Sequence, residues 1–430
     1  MRPRADEVGA PRAAADPVEE LVADLQQARA GVRPWPADRF AARGAALAPA
    51  LAACGLAGFI AELVGGGDVP DIAAAAVDLN ADELGRRATH RASCAFAHSR
   101  LPTLWAWLCR RRATGRPWAT WWADDVALPL ADDTRARLRD APAPLPPAGA
   151  LGAIARRWAA GTGLTEPTAE HNWRWLALGR GLDIAVPAFP ALLAALVQTF
   201  RDRELLPPGH RVQVIRRPRT PSLVVPIRVP GHSLLSVPEP SPATPLAVQY
   251  FQHELGHLAE HALRPPDAPL RERWAFDPVR SEGIALLFEL VLRDPRWLVG
   301  LGFGTRDAER LAGFLVDEEA FTRGLIAADL ALDHQLSGCA RVEDACAAGA
   351  AIAAQLGLAW AAEIMLFRLP AMLDWRSYLA GWVWRDAANA ILVHRHGACW
   401  PAAPAAWRTL RATLQTVGSA ADALHCLATA

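Results

Sequence analysis

The five residues His253-Glu254-Leu255-Gly256-His257 constrain this chain more than any other feature of its sequence. On an α-helix, positions i and i+4 lie on one face, so both imidazoles can reach one ion. Zinc accepts imidazole nitrogen, and a catalytic zinc keeps a position open for water. Glu254, next to the first histidine, stands where it can take a proton from that water. The preceding run Pro245-Leu246-Ala247-Val248-Gln249-Tyr250-Phe251-Gln252 has no glycine and carries its only proline at the start, which suits a helix leading into the motif. The pattern continues through Leu258, Ala259, Glu260 and His261. His261 therefore falls one turn beyond His257, either on the surface or behind the metal ligands. A solvated helix face rich in His and Glu is the competing reading of the motif.

Three protein ligands are the norm for a catalytic zinc, and the chain offers a third. Ser281-Glu282-Gly283-Ile284-Ala285-Leu286-Leu287-Phe288-Glu289 is an apolar stretch with two carboxylates seven positions apart, hence two turns apart on one helix face. Its flanking residues mark it as buried, and a buried carboxylate needs a cation or hydrogen-bond donors. Zinc and imidazole together would meet that need. A role near a helix N-terminus, favoured by the macrodipole, is the other account of Glu282 and is compatible with ligation.

Together these residues resemble the gluzincin metallopeptidases of the thimet oligopeptidase and oligoendopeptidase F type. The resemblance rests on the Gly before the second His, on Glu282 at 25 positions after His257, and on Glu289 seven further on. It also rests on Ser377-Tyr378-Leu379-Ala380-Gly381-Trp382-Val383-Trp384, which is similar to the family's Gly-Tyr-x-Ala-Gly-Tyr-Tyr-x-Tyr segment. The resemblance implies zinc bound by His253, His257 and Glu282, with Glu289 orienting a ligating histidine. It implies Glu254 as general base and Tyr378 as the residue that donates to the transition state. It also implies a mainly α, two-lobed helical zincin-like fold with a small β-sheet before the motif helix, enclosing a site for peptides rather than folded proteins. Trp382 and Arg385 stand where the family has tyrosines, and Met372-Leu373-Asp374-Trp375-Arg376-Ser377 replaces its His-Gly-Gly lead-in. The resemblance covers mainly residues 245–400.

Composition narrows the function classes. The 430 residues are 52% hydrophobic and 21% charged, enough for one large core or two lobes. Formal net charge is zero, which argues against a nucleic-acid binder relying on bulk charge. All the basic residues are Arg, so a lysine nucleophile or Schiff base is excluded. The seven cysteines (Cys54, Cys94, Cys109, Cys339, Cys346, Cys399 and Cys426) form no C-x-x-C pair, which argues against a cysteine zinc site. Their odd number and scatter do not suggest a disulfide framework. The start lacks the apolar stretch of a secretory signal, and no apolar run reaches membrane-span length, so a cytoplasmic protein without membrane contacts is expected. Oligomeric state is not legible.

The chain reads as a polar, disordered tail over 1–16, a helical amino-terminal lobe over 17–205 and a zinc-binding lobe over 206–430. Helices are expected from 18 to 28 and 41 to 63, then at 81–98, 102–112, 149–160 and 190–204, with a proline-rich loop over 141–147. Val212–Ile215, Leu223–Val229 and Ser233–Val237 alternate β-branched and polar residues and predict a small sheet bounded by prolines. An edge strand there can pair with an extended peptide, or can simply cover the core. Long helices are expected over 307–333, 343–367 and 377–395. His232, His394 and His396 are isolated and read as structural or solvated. No G-x-S-x-G or phosphate-binding loop is present.

The resulting expectation is a zinc-dependent peptidase with a peptide substrate. Two alternatives stay open: a dedicated zinc hydrolase or tailoring enzyme of a biosynthetic pathway on the same scaffold, and a non-catalytic binding protein with a vestigial site.

Overall fold

The computed structural model describes residues 17–29, 43, 46–53, 101, 105–106, 109, 145–162, 184–218, 223–239, 245–274, 276–336, 338–358, 365–366 and 375–430. In chain order the helices are α1 (Pro17–Arg29), α2 (Ala48–Ala53), α3 (Ala150–Thr162) and α4 (Phe189–Asp202). Strands β1 (Arg211–Pro218), β2 (Leu223–Arg228) and β3 (His232–Glu239) follow. Then come α5 (Pro245–Leu263), α6 (Leu270–Trp274), α7 (Pro278–Val291), α8 (Pro295–Gly300), α9 (Thr305–Leu336), α10 (Val342–Leu356), α11 (Trp375–His396), α12 (Pro404–Gln415) and α13 (Ala420–Thr429). The fold is mainly helical, with one three-stranded sheet directly before the helix that carries the histidine motif. No described helix is long and apolar enough to cross a membrane.

The sheet has the order β1-β3-β2, with β3 parallel to β1 and antiparallel to β2. The last strand before the motif helix is therefore central, and β2 is an edge. Period-two alternation sorts the side chains. Val224, Leu235 and Val237 join the main core, while Val225, Ile227 and Leu234 form a separate cluster with Ala23 of α1. Pro226 sits in edge strand β2, where a missing N–H is tolerated, and the register shifts between Pro226 and Arg228.

Helix α5 crosses the main core with Val248, Phe251, Leu255, Leu258 and Ala259 buried against other elements. Helix α7 is almost wholly buried and begins at a built cap. One Asp277 carboxylate oxygen accepts the Val279 and Arg280 N–H groups, and the other accepts the Ala420 N–H, which ties α13 to the same point. Behind the motif, Glu260 of α5 pairs with Arg264 at 2.9 Å and with Arg280 of α7 at 3.1 Å. Arg280 also donates to the Thr413 and Leu414 carbonyls at the end of α12. Burial pulls the Arg280 guanidinium down to about 10, a measure of how completely it has left water.

One expected helix is shorter than its periodicity suggests. The stretch 343–367 does not run through, because α10 ends at Leu356. Gly357 then takes φ +74°, and a Cβ there would lie 2.9 Å from the Gly149 Cα. A left-handed turn with a backbone packed against it stops the helix, although the apolar pattern continues. The expected disordered tail at 1–16, the helix at 81–98 and most of those at 41–63 and 102–112 lie outside the described residues. So does much of the division into two lobes.

Candidate metal centre and active site

His253 and His257 share one face of α5, and Glu282 reaches them from the second turn of α7. Among the described residues these three form the one cluster of His, Cys, Asp or Glu side chains able to hold an ion, each with a ligand atom within 4.8 Å of the others. His253 Nε2 lies 3.5 Å from Glu282 Oε2, and His257 Nε2 lies 3.8 Å from Glu282 Oε1. The two Nε2 atoms are 3.2 Å apart. This convergence depends on how closely the helices approach. A Cβ on Gly256 would stand 2.7 Å from the Ala285 Cα of α7, and one on Gly381 of α11 would stand 3.0 Å from the Glu282 Cβ. Glycine lets α5 press on α7 at Gly256, and at Gly381 it lets α11 pack tightly beside Glu282.

The far side of each imidazole is also held. His253 Nδ1 is 2.5 Å from Glu289 Oε1, and His257 Nδ1 is 2.9 Å from Ser281 Oγ. A carboxylate oxygen accepts, so Glu289 takes the Nδ1–H and leaves Nε2 of His253 facing the cluster. Burial disfavours a charged His253. The flanking Glu282 and Glu289 outweigh it and hold the imidazole well above its ordinary range. Burial alone works to raise Glu282. The neighbouring His253 and His257, with the Tyr378 phenol, bring it below its ordinary value. Burial holds His257 down. The electrostatics thus favour positive charge at the point where the three side chains meet. Glu282 Oε2 is buried there with no hydrogen-bond partner. Two imidazole nitrogens and a carboxylate oxygen, oriented by partners behind them, form a donor set that fits zinc.

Glu254 points toward the sheet. Its Oε2 accepts the Val224 N–H of edge strand β2 at 2.5 Å, and burial lifts its carboxyl to about 7. Tyr378 of α11 lies beside the cluster. Its ring is parallel to His253 with centroids 6.0 Å apart, and its phenol helps lower the Glu282 carboxyl. All six residues singled out in the sequence (His253, Glu254, His257, Glu282, Glu289 and Tyr378) therefore come together.

Several participants escaped sequence reasoning. Ser281 was visible only as the neighbour of Glu282. Val224 contributes a backbone group, which no residue pattern can announce. Gln249 and Glu318 stand behind Glu289, with Glu318 on α9. Gln249 alone carried a signal, as a glutamine one turn before His253 on the same face. His261 is buried against Phe276 with ring centroids 4.5 Å apart, which removes the surface option, and burial holds it well below its ordinary range. Trp382 and Trp384 are core residues, and Trp384 donates its indole N–H to the Ala420 carbonyl at 2.8 Å. Arg385, in a family tyrosine position, is spent on ion pairs with Glu319 and Asp386. His394 and His396 sit at the end of α11 outside the ligand cluster.

No protein-family model matches the chain. No curated protein matches it in sequence either. Solved structures do. The M32 carboxypeptidase from Deinococcus radiodurans R1 aligns with a TM-score of 0.54 at 13% identity, over 96% of this chain and 93% of that one. The two share a fold. A second structure, BsuCP, aligns at a TM-score of 0.41 and 11% identity over 70% of this chain and 62% of that one, and adds nothing to the assignment. The alignment shows the fold of that carboxypeptidase and does not reach the narrower placement with thimet oligopeptidase and oligoendopeptidase F. The motifs behind that placement are short and lie around the metal, whereas the alignment spans nearly the whole chain.

Proposed function

We propose that this chain is a zinc-dependent peptidase acting on oligopeptides. The observation that carries the reading is the convergence of His253, His257 and Glu282, each imidazole fixed from behind, with a buried carboxylate beside them. His253, His257 and Glu282 would hold the zinc. When bound, zinc supplies a Lewis acid that polarises the scissile carbonyl and acidifies water. Glu254 takes the proton from the attacking water and later delivers it to the leaving amine. A carboxyl lifted to about 7 can do both near neutral pH. The Val224 N–H holds one Glu254 oxygen and leaves the other for the proton. The same edge strand offers main-chain groups to an extended peptide. The fold shared with a carboxypeptidase suggests removal of carboxy-terminal residues, so peptides with free and amidated carboxy-termini belong in the same screen.

Protein purified without added metal is expected to carry about one zinc per chain, as a three-ligand catalytic set does. Glu282→Ala should lower zinc content far more than Glu289→Ala, because a lost ligand outweighs a lost orienting partner. Elemental analysis with a peptide-library cleavage assay tests both points. A chain that takes up no zinc when zinc is offered sinks the proposal, and a zinc-loaded chain that cleaves nothing favours the binding protein.

Tyr378 donates to the developing oxyanion once substrate draws its hydroxyl from Glu282. Tyr378→Phe is expected to lower turnover roughly 100- to 1000-fold, with zinc affinity and thermal stability nearly unchanged. If zinc affinity falls instead, and turnover recovers at saturating zinc, the phenol serves only to hold Glu282.

A further inference from the structure

We propose that Gln249 and Glu318 are positioning residues of the metal centre, holding Glu289 in the orientation that fixes His253. Gln249 lies one turn before His253 on α5. Its amide nitrogen donates to Glu289 Oε2 at 2.8 Å and to Glu318 Oε2 at 2.8 Å. The other oxygen of Glu289 is the one 2.5 Å from His253 Nδ1. Glu318 is 1% exposed, and its Oε1 accepts the Thr322 hydroxyl at 2.8 Å. A single relay thus runs from Thr322 and Glu318 on α9, through Gln249 on α5 and Glu289 on α7, to the imidazole.

The chemistry of glutamine suits this place and no packing role explains it. An amide nitrogen carries two hydrogens, so it can satisfy two acceptors together. An apolar residue would leave the buried Glu318 and the half-buried Glu289 carboxylates facing one another with no donor between them. Arginine would supply donors, but its charge would draw Glu289 away from the imidazole. The Gln249 Oε1 atom is buried without a hydrogen-bond partner, a cost the site bears while the NH2 group bridges both acids. Held at both oxygens, the Glu289 carboxylate cannot rotate about its last bond, and His253 keeps its Nε2 aimed at the ligand cluster.

This inference rests on the zinc reading, and the test separates the two. The full chain is loaded with zinc alone, and the dissociation constant is measured by chelator competition beside a thermal melt. Gln249→Met keeps the volume and removes the donors. It is expected to bind zinc roughly tenfold more weakly while still unfolding in one cooperative melt, at the lower end of the effect of direct partners. Glu318→Gln still presents an oxygen to Gln249 and is expected to stay within about twofold of the native chain, whereas Glu318→Leu should match Gln249→Met. Gln249→Met combined with Glu289→Gln should be no weaker than Glu289→Gln alone, because both act through one path. If Gln249→Met does not fold, Gln249→Asn, one methylene too short, takes its place with the same expectation. Native zinc affinity in a folded Gln249 variant, or additive losses in the double variant, overturns the proposal while leaving the zinc reading intact. A native chain that binds no zinc overturns both.

Discussion

Glu254→Gln is expected to bind zinc like the native chain and to hydrolyse peptides roughly 10²- to 10⁴-fold more slowly. The amide has the size of the carboxylate but no site for the proton of the attacking water. Its oxygen can still accept the Val224 N–H, so β2 and α5 keep their relation and the loss is chemical rather than structural. Glu254 is adjacent to the ligand His253 but faces the strand, which is why metal binding and turnover should separate at this residue. Zinc content by elemental analysis and turnover on a peptide found by screening are the two measurements. Near-native turnover with zinc confirmed would falsify the assigned base.

Glu260→Leu is expected to cost about 3–5 kcal/mol of stability, the largest structural effect foreseen for this chain. Glu260 and Arg280 are 0% exposed and Arg264 is 2% exposed, so both guanidinium groups depend on this carboxylate for a counter-charge away from water. Its removal leaves two buried cations with Asp277 as the acid near Arg280. Salt should rescue little, since buried pairs are screened far less than exposed ones. Arg157→Ala, at an exposed pair with Asp317, serves as the contrast and should change stability by no more than about 1 kcal/mol. Urea unfolding of both variants decides the matter. Equal small losses would show that the buried triad contributes little beyond its packing. Because Arg280 precedes Glu282 on α7 by two residues, partial loosening should also appear as weaker zinc binding.

The sequence by itself determined which side chains could meet at the centre and little of their setting. Two histidines at i and i+4 and a glutamate on a second apolar helix are set by helical periodicity, which is local and can be read along the chain. The strand segments and the long helices α9 and α11 were legible for the same reason. What the tertiary structure decided depends on contacts between distant residues. Val224 meets Glu254 across 30 positions and Gln249 meets Glu318 across 69, and neither pairing leaves a periodic trace. The order β1-β3-β2, with the last strand in the centre, follows from long-range pairing rather than from strand propensity. Helix α10 stops at Gly357 because the Gly149 backbone packs there, not because its apolar pattern ends. The fold comparison does not reach the narrower family placement, on the same ground. Motifs around a metal report the ligand chemistry, which unrelated arrangements of helices can share, whereas the family lies in how the whole chain packs. Gly256 and Gly381 belong to both levels: each is one letter in a motif, yet only the distance to α7 shows that a Cβ would collide with backbone at Gly256 and crowd Glu282 at Gly381.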